Sequence, residues 1–140
     1  MSRIINPEGA AKERTRITRS IVLALRELMR QQDLSDESRD LMAYIAQALL
    51  DLYATVDSSV GAWEKRGYWV KAERFRMEWE WSQHQGEKMR KAVLDEDWAG
   101  VAQCAAVTGQ KLAKVSVPIR HKLGTPWVGA YEHLSDQARK

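Results

Sequence analysis

The sequence is poor in the residues that interrupt helices and in those that carry much of protein chemistry. Its 140 residues include three prolines, one cysteine and three histidines. Pro7, Pro118 and Pro126 leave about 110 consecutive residues without proline, which favours long helices because proline removes a helical hydrogen bond. The single Cys104 excludes an internal disulfide, so we expect a reducing compartment and a cytoplasmic protein.

Several classes of protein lack support in the sequence. No run of 18 apolar residues occurs and the first residues lack the apolar core of a signal peptide, so we expect neither a membrane span nor secretion. The glycine-rich phosphate loop, the dinucleotide fingerprint and the nucleophile elbow are missing. Glu80, His84 and Glu87 have helical spacing, but no matching Glu-x-x-His pair on another helix completes a metal site. We therefore expect no metal, cofactor, small-molecule substrate or catalysis.

Apolar residues recur at helical spacing in four segments, which predicts helices over about residues 6–32, 36–66, 68–94 and 97–114. Asn6, Ser35 or Asp36, and Asp95 or Asp97 are the predicted N-caps, and Gly67 is predicted to end the second helix. The residues expected to face inward are Ile17, Ile21, Leu25 and Leu28, then Leu41, Ile45, Leu49, Leu52, Val56, Val60 and Trp63, then Ala72, Phe75, Trp79, Ser82, Gly86, Met89 and Val93, and finally Trp98, Val101, Ala102, Ala105, Gly109 and Leu112. Cys104 is expected to be a buried, small apolar side chain.

The composition changes after residue 116, where VSVPIRHKLGTPW predicts an extended arm. Thr125 and Pro126 are predicted to begin a short fifth helix over about residues 126–138. The fold class is therefore all-α, and residues 1–116 are predicted to form an antiparallel up-down four-helix bundle. Residues 117–140 are predicted to form an arm and a short helix that pack on this bundle, so the chain is a single domain. The apolar residues of the arm, which can anchor it on the bundle, are Val117, Ile119, Leu123 and Trp127.

Charge is segregated along the chain. Residues 1–30 carry seven basic and three acidic side chains, whereas residues 31–60 carry one basic and six acidic. On the first helix five cations follow one line over about 27 Å, opposite the apolar face. These residues are Lys12, Arg16, Arg19, Arg26 and Arg30. Such a line can track a nucleic-acid backbone, or it is a solvated helix face.

Two further groups of charges bear on this line. Arg120 and Lys122 lie in the arm, which either grips nucleic acid or wraps the bundle. Asp36, Asp40 and Asp51 are predicted on the outward side of the second helix. The acidic and basic faces would then lie on different surfaces, free to pair between molecules or with different partners.

The segment from Trp63 to Trp81 holds four of the six tryptophans. Trp63 and Trp79 are predicted in the core. Trp81 differs from Trp79 by 200° around a helix, which predicts a second apolar patch formed by Val70, Met77 and Trp81. Either the protein's own arm covers this patch or it is a protein interface.

These patterns indicate a non-catalytic helical subunit of a larger assembly. Its basic first-helix face would contact an anionic partner, most plausibly an RNA or DNA backbone, and the Val70, Met77 and Trp81 patch would contact protein. The alternative is a self-associating structural bundle or protein-interaction module that binds no nucleic acid. Its acidic and basic faces would then pair between copies.

Overall fold

The computed structural model describes residues 7–139 and contains helices but no strand in that range. The five helices are Pro7–Arg30 (α1), Asp36–Lys65 (α2), Trp69–Leu94 (α3), Trp98–Lys111 (α4) and Ala130–Arg139 (α5). The first four pack antiparallel and a loop precedes α5, which confirms the all-α bundle. The predicted cap Asn6 lies outside the described residues. No helix in the described range is both long enough and apolar enough to cross a bilayer.

The helix ends follow local capping chemistry. The Ser35 hydroxyl accepts a hydrogen bond from the Ser38 amide at 3.1 Å, and the Ser38 hydroxyl closes a capping box at the start of α2. Gly67 follows α2 with φ of 83°, the left-handed conformation that glycine adopts without strain. The Asp97 carboxylate accepts from the Gly100 amide and caps α4. That helix ends at Lys111, three residues before the predicted end.

The core is centred on α2, which packs against α1, α3 and α5. A large apolar cluster fills the half of the bundle around the first part of α2, with Ile21, Ile45 and Leu49 fully buried. A smaller cluster of Val56, Val60 and Ala72 lies toward the other end of α2. Gly86, predicted to face inward, lies where α3 packs closely on α2, since a Cβ there would lie only 2.9 Å from Leu50 Cδ2.

The arm packs against α2, but it is held differently from the prediction. Trp127 is buried, whereas Ile119, predicted as a second anchor, is fully exposed. α5 begins at Ala130 instead of residue 126, because Gly129 has φ of 81° and interrupts the helix. The Asp40 carboxylate of α2 accepts hydrogen bonds from the amides of Gly129 and Tyr131, both at 3.0 Å. Asp40, predicted to be one of the outward-facing acidic residues, therefore caps α5.

Candidate nucleic-acid interface

The packing of α1 determines which of its faces is available. Ile17, Ile21 and Ala24 are buried against the rest of the bundle. The five predicted cations lie on the other side: Lys12, Arg16, Arg26 and Arg30 are exposed and Arg19 is partly exposed. We call these five residues the α1 basic face. Since none of them belongs to the buried core, the fold leaves this face open to solvent.

Two of the five cations are paired within α1. Arg16 Nη2 lies 2.5 Å from Glu13 Oε1, and Arg30 Nη1 lies 2.8 Å from Glu27 Oε1. No carboxylate among the described residues lies within ion-pair distance of Lys12, Arg19 or Arg26. Five cations and two neutralising carboxylates leave a net charge of about +3 on the α1 basic face.

The acidic side of α2 is less separate from this face than the sequence suggested. The hydrogen bond to Glu13 raises the pKa of Arg16, and the negative charge of Asp51 on α2 raises it further. Asp51 also accepts a hydrogen bond from Gln47 at 3.1 Å. Part of the predicted acidic face is therefore electrostatically coupled to the basic face within one molecule. Asp36 is exposed and lies 3.6 Å from Arg39.

Arg14 is a functional anchor of α1 that sequence reasoning missed. Its guanidinium donates to the Thr55 carbonyl and hydroxyl at 3.3 Å and to the Ser59 hydroxyl at 3.4 Å. It also lies over the Phe75 ring, 4.7 Å from the centroid, so one side chain ties α1 to both α2 and α3. Burial lowers the pKa of Arg14, and the charge of Glu78 opposes that effect. Thr55 and Ser59 interrupt the apolar stripe of α2 at i, i+4 spacing, which is the signal that could have revealed this site.

No hydrogen bond or ion pair between described residues joins the two arm cations to the α1 basic face. Arg120 and Lys122 are exposed in the loop between α4 and α5. Lys122 has φ of 56°, and next to it the His121 ring accepts a hydrogen bond from the Leu123 amide at 2.9 Å. The loop therefore has local order of its own, and its cations point to solvent independently of α1.

The predicted second apolar patch is only partly a surface. Val70 and Met77 are about two-thirds exposed, at 67% and 65%. Trp81 is partly buried against the large cluster, and its ring stacks on Trp79 with centroids 6.3 Å apart. The prediction that Trp79 and Trp81 occupy separate sides is wrong, because two indole rings are large enough to meet although their Cβ atoms diverge. The arm packs on α2 and leaves Val70 and Met77 uncovered.

The residue types that ligate metals do not cluster among the described residues. The described residues contain no group of three His, Cys, Asp or Glu side chains that could hold a metal ion, and His84 is exposed. Cys104 is buried, and the resulting desolvation raises the pKa of its thiol, which disfavours the nucleophilic thiolate. A mostly apolar cleft between α2 and α5 has a volume of about 220 Å³, and a more open cleft beside Tyr68 and Val70 has a volume of about 540 Å³.

The α1 basic face is thus a row of five predicted cations, of which the fold leaves four exposed and Arg19 partly exposed. No protein-family model, curated protein or solved structure matches this chain. The surface chemistry of the molecule therefore carries the functional inference.

Proposed function

We propose that this protein is a non-catalytic helical subunit that binds the phosphate backbone of RNA or DNA through the α1 basic face. The observation that carries the proposal is the row of three cations without an ion-pair partner in the described part of the chain, Lys12, Arg19 and Arg26. Their seven-residue spacing places them about 10.5 Å apart along the helix, so the row extends over about 21 Å. A straight row of this length suits a linear polyanion better than a single small anion.

The charge on the face sets the expected strength of binding. Neutralising about three phosphates of a duplex gives a slope of about −2.7 in a plot of log K against log salt concentration. A fourfold rise in salt concentration should then weaken binding about 40-fold. Binding would be independent of base sequence, since a row of phosphate contacts carries no sequence information.

The experiment measures the fluorescence anisotropy of a labelled mixed-sequence duplex between about 50 and 200 mM salt. Arg19→Gln with Arg26→Gln removes two of the three free cations, so the salt effect should fall from about 40-fold to about three- or fourfold. Lys88→Gln with Lys111→Gln is the matched control, because it removes two exposed cations from α3 and α4. Absent or salt-independent binding, or an equal loss in the control, would overturn the proposal.

Membership of a larger assembly rests on a second surface. Val70 and Met77 expose apolar area that the arm leaves free, and Trp81 supports them from the partly buried side of α3. Exposed apolar side chains near cations are typical of protein interfaces. A protein contact at these residues would leave the α1 basic face accessible, because they lie on a different helix.

A further inference from the structure

The two ends of the bundle carry opposite charge, and each also exposes apolar side chains. Because the helices are antiparallel, the turns that follow α1 and α3 lie at one end and the turn that follows α2 lies at the other. We call the first the acidic end, formed by residues 29–37, 95–97 and 132. The basic end consists of residues 65–74.

The acidic end has carboxylates that the fold does not neutralise. Within the described chain, five exposed carboxylates there have no cation at ion-pair distance: Asp33, Glu37, Glu96, Asp97 and Glu132, of which Asp97 caps α4. Glu96 and Glu132 line the same cleft, which shows that the α3–α4 turn and α5 meet at this end. Met29, 85% exposed, and Leu34 add apolar surface beside the charges.

The basic end is the chemical complement. Its four exposed cations, again without a carboxylate at ion-pair distance among the described residues, are Lys65, Arg66, Lys71 and Arg74. The nearby carboxylates Glu64 and Glu73 are both bound by Arg76, so they do not neutralise this surface. Trp69 is 62% exposed, and Tyr68 and Val70 beside it are also exposed.

We propose that the acidic end of one molecule binds the basic end of a second copy, so that copies join head to tail. Five carboxylates without an ion pair would face four cations without one, and Met29 and Leu34 would supply apolar surface for Trp69 and Val70. Opposite charges give the contact its polarity, because like ends repel each other. An interface between two different patches leaves a free end on each side, and therefore propagates into a ring or a filament.

This proposal goes beyond nucleic-acid binding and does not depend on it, since Arg30 alone of the α1 basic face lies at the acidic end, and Arg30 is already paired with Glu27. The end of a bundle is a small surface, so we expect weak association that depends on concentration and is strongest at low salt. Sedimentation velocity of the full chain without nucleic acid should show species that grow with concentration at about 50 mM salt and dissociate at about 500 mM.

Two variants that each disable one end test the polarity of the contact. Arg66→Ser with Trp69→Ser disables the basic end, and Met29→Ser with Glu37→Ser disables the acidic end; all four side chains are exposed, so the fold should persist. Each variant alone should sediment as a monomer. An equimolar mixture should give a one-to-one heterodimer that grows no further, because only one intact end of each kind remains. Ile119→Ser, a change of a fully exposed apolar side chain outside the residues that form either end, should assemble like the unaltered protein.

Three results would overturn the proposal: a monomer at every concentration and salt tested, assembly of either disabled variant, or a mixture that forms no heterodimer. Loss of oligonucleotide binding by the basic-end variant of a strictly monomeric protein would assign that end to nucleic acid instead. Failure of head-to-tail assembly would leave the anisotropy result for the α1 basic face unaffected, so the two proposals fail separately.

Discussion

At the residue scale, the fold depends on a charged side chain placed between apolar helices. The guanidinium of Arg14 is partly desolvated, and it contacts the hydroxyls of Thr55 and Ser59 and the ring of Phe75. Desolvation of a cation is costly unless its donors are paired. The net contribution of Arg14 to the free energy of unfolding is therefore the gain from several hydrogen bonds minus this desolvation cost. A substitution measures that contribution.

We expect Arg14→Met to lower the free energy of unfolding by about 1–3 kcal/mol, because it leaves the buried Ser59 hydroxyl without the Arg14 donor while keeping an apolar stem. Urea denaturation followed by circular dichroism measures the change. Arg19→Met on the same helix is the control and should change stability by less than about 0.5 kcal/mol. Equal effects of the two substitutions would show that the Arg14 contacts contribute nothing net.

At the element scale, the limits of some helices are determined by neighbouring residues and those of others by residues distant in sequence. The limits of α2, α3 and α4 lie within a few residues of the prediction. Ser35 and Asp97 cap the helices that directly follow them, and Gly67 lies in the turn directly after α2. The start of α5 was not predictable in the same way. Its cap, Asp40, is 89 residues from Gly129, and no local pattern relates the two.

The same distinction applies to the candidate site. Helical periodicity alone placed the α1 basic face on the exposed side, and the structure agrees for all five positions. The contact between the Trp79 and Trp81 rings was not predicted. It depends on how far the side chains extend, whereas the angular position on a helix gives only the direction in which each side chain leaves the backbone. Local periodicity thus defines surfaces, whereas contacts between side chains require the tertiary structure.

Asp40→Ala should detach α5 while leaving the bundle folded. It removes the acceptor of the Gly129 and Tyr131 amides, a loss of about 0.5–2 kcal/mol by analogy with helix N-caps. Hydrogen exchange should then accelerate in α5 and remain unchanged in the middle of α2. Asp36→Ala, an exposed carboxylate one turn earlier, is the control. Unchanged protection of α5 in Asp40→Ala would show that Trp127 and Leu134 hold it without the cap.

At the scale of the whole molecule, the core is unequal along the bundle. The large cluster contains residues from α1 to α5, whereas the buried members of the small cluster within the described part of the chain are Val56, Val60 and Ala72. Trp79 packs against both clusters and links them. Apolar burial is the main stabilising contribution. The half of the bundle beside the basic end buries less apolar surface, so opening that half costs less free energy.

This inequality predicts that the molecule opens from the basic end. Amides near Val56 and Val60 should exchange at least about tenfold faster than those near Ile45 and Leu49, a difference of about 1.4 kcal/mol in opening free energy. Native-state hydrogen exchange with mass-spectrometric peptide resolution measures both regions in one experiment. Val60→Ala should widen the difference by weakening only the small cluster. Uniform protection along α2 would instead mean that Trp79 couples the two clusters into one cooperative unit. Val60→Ala should then reduce the protection of the Leu49 amide as much as that of the Val56 amide.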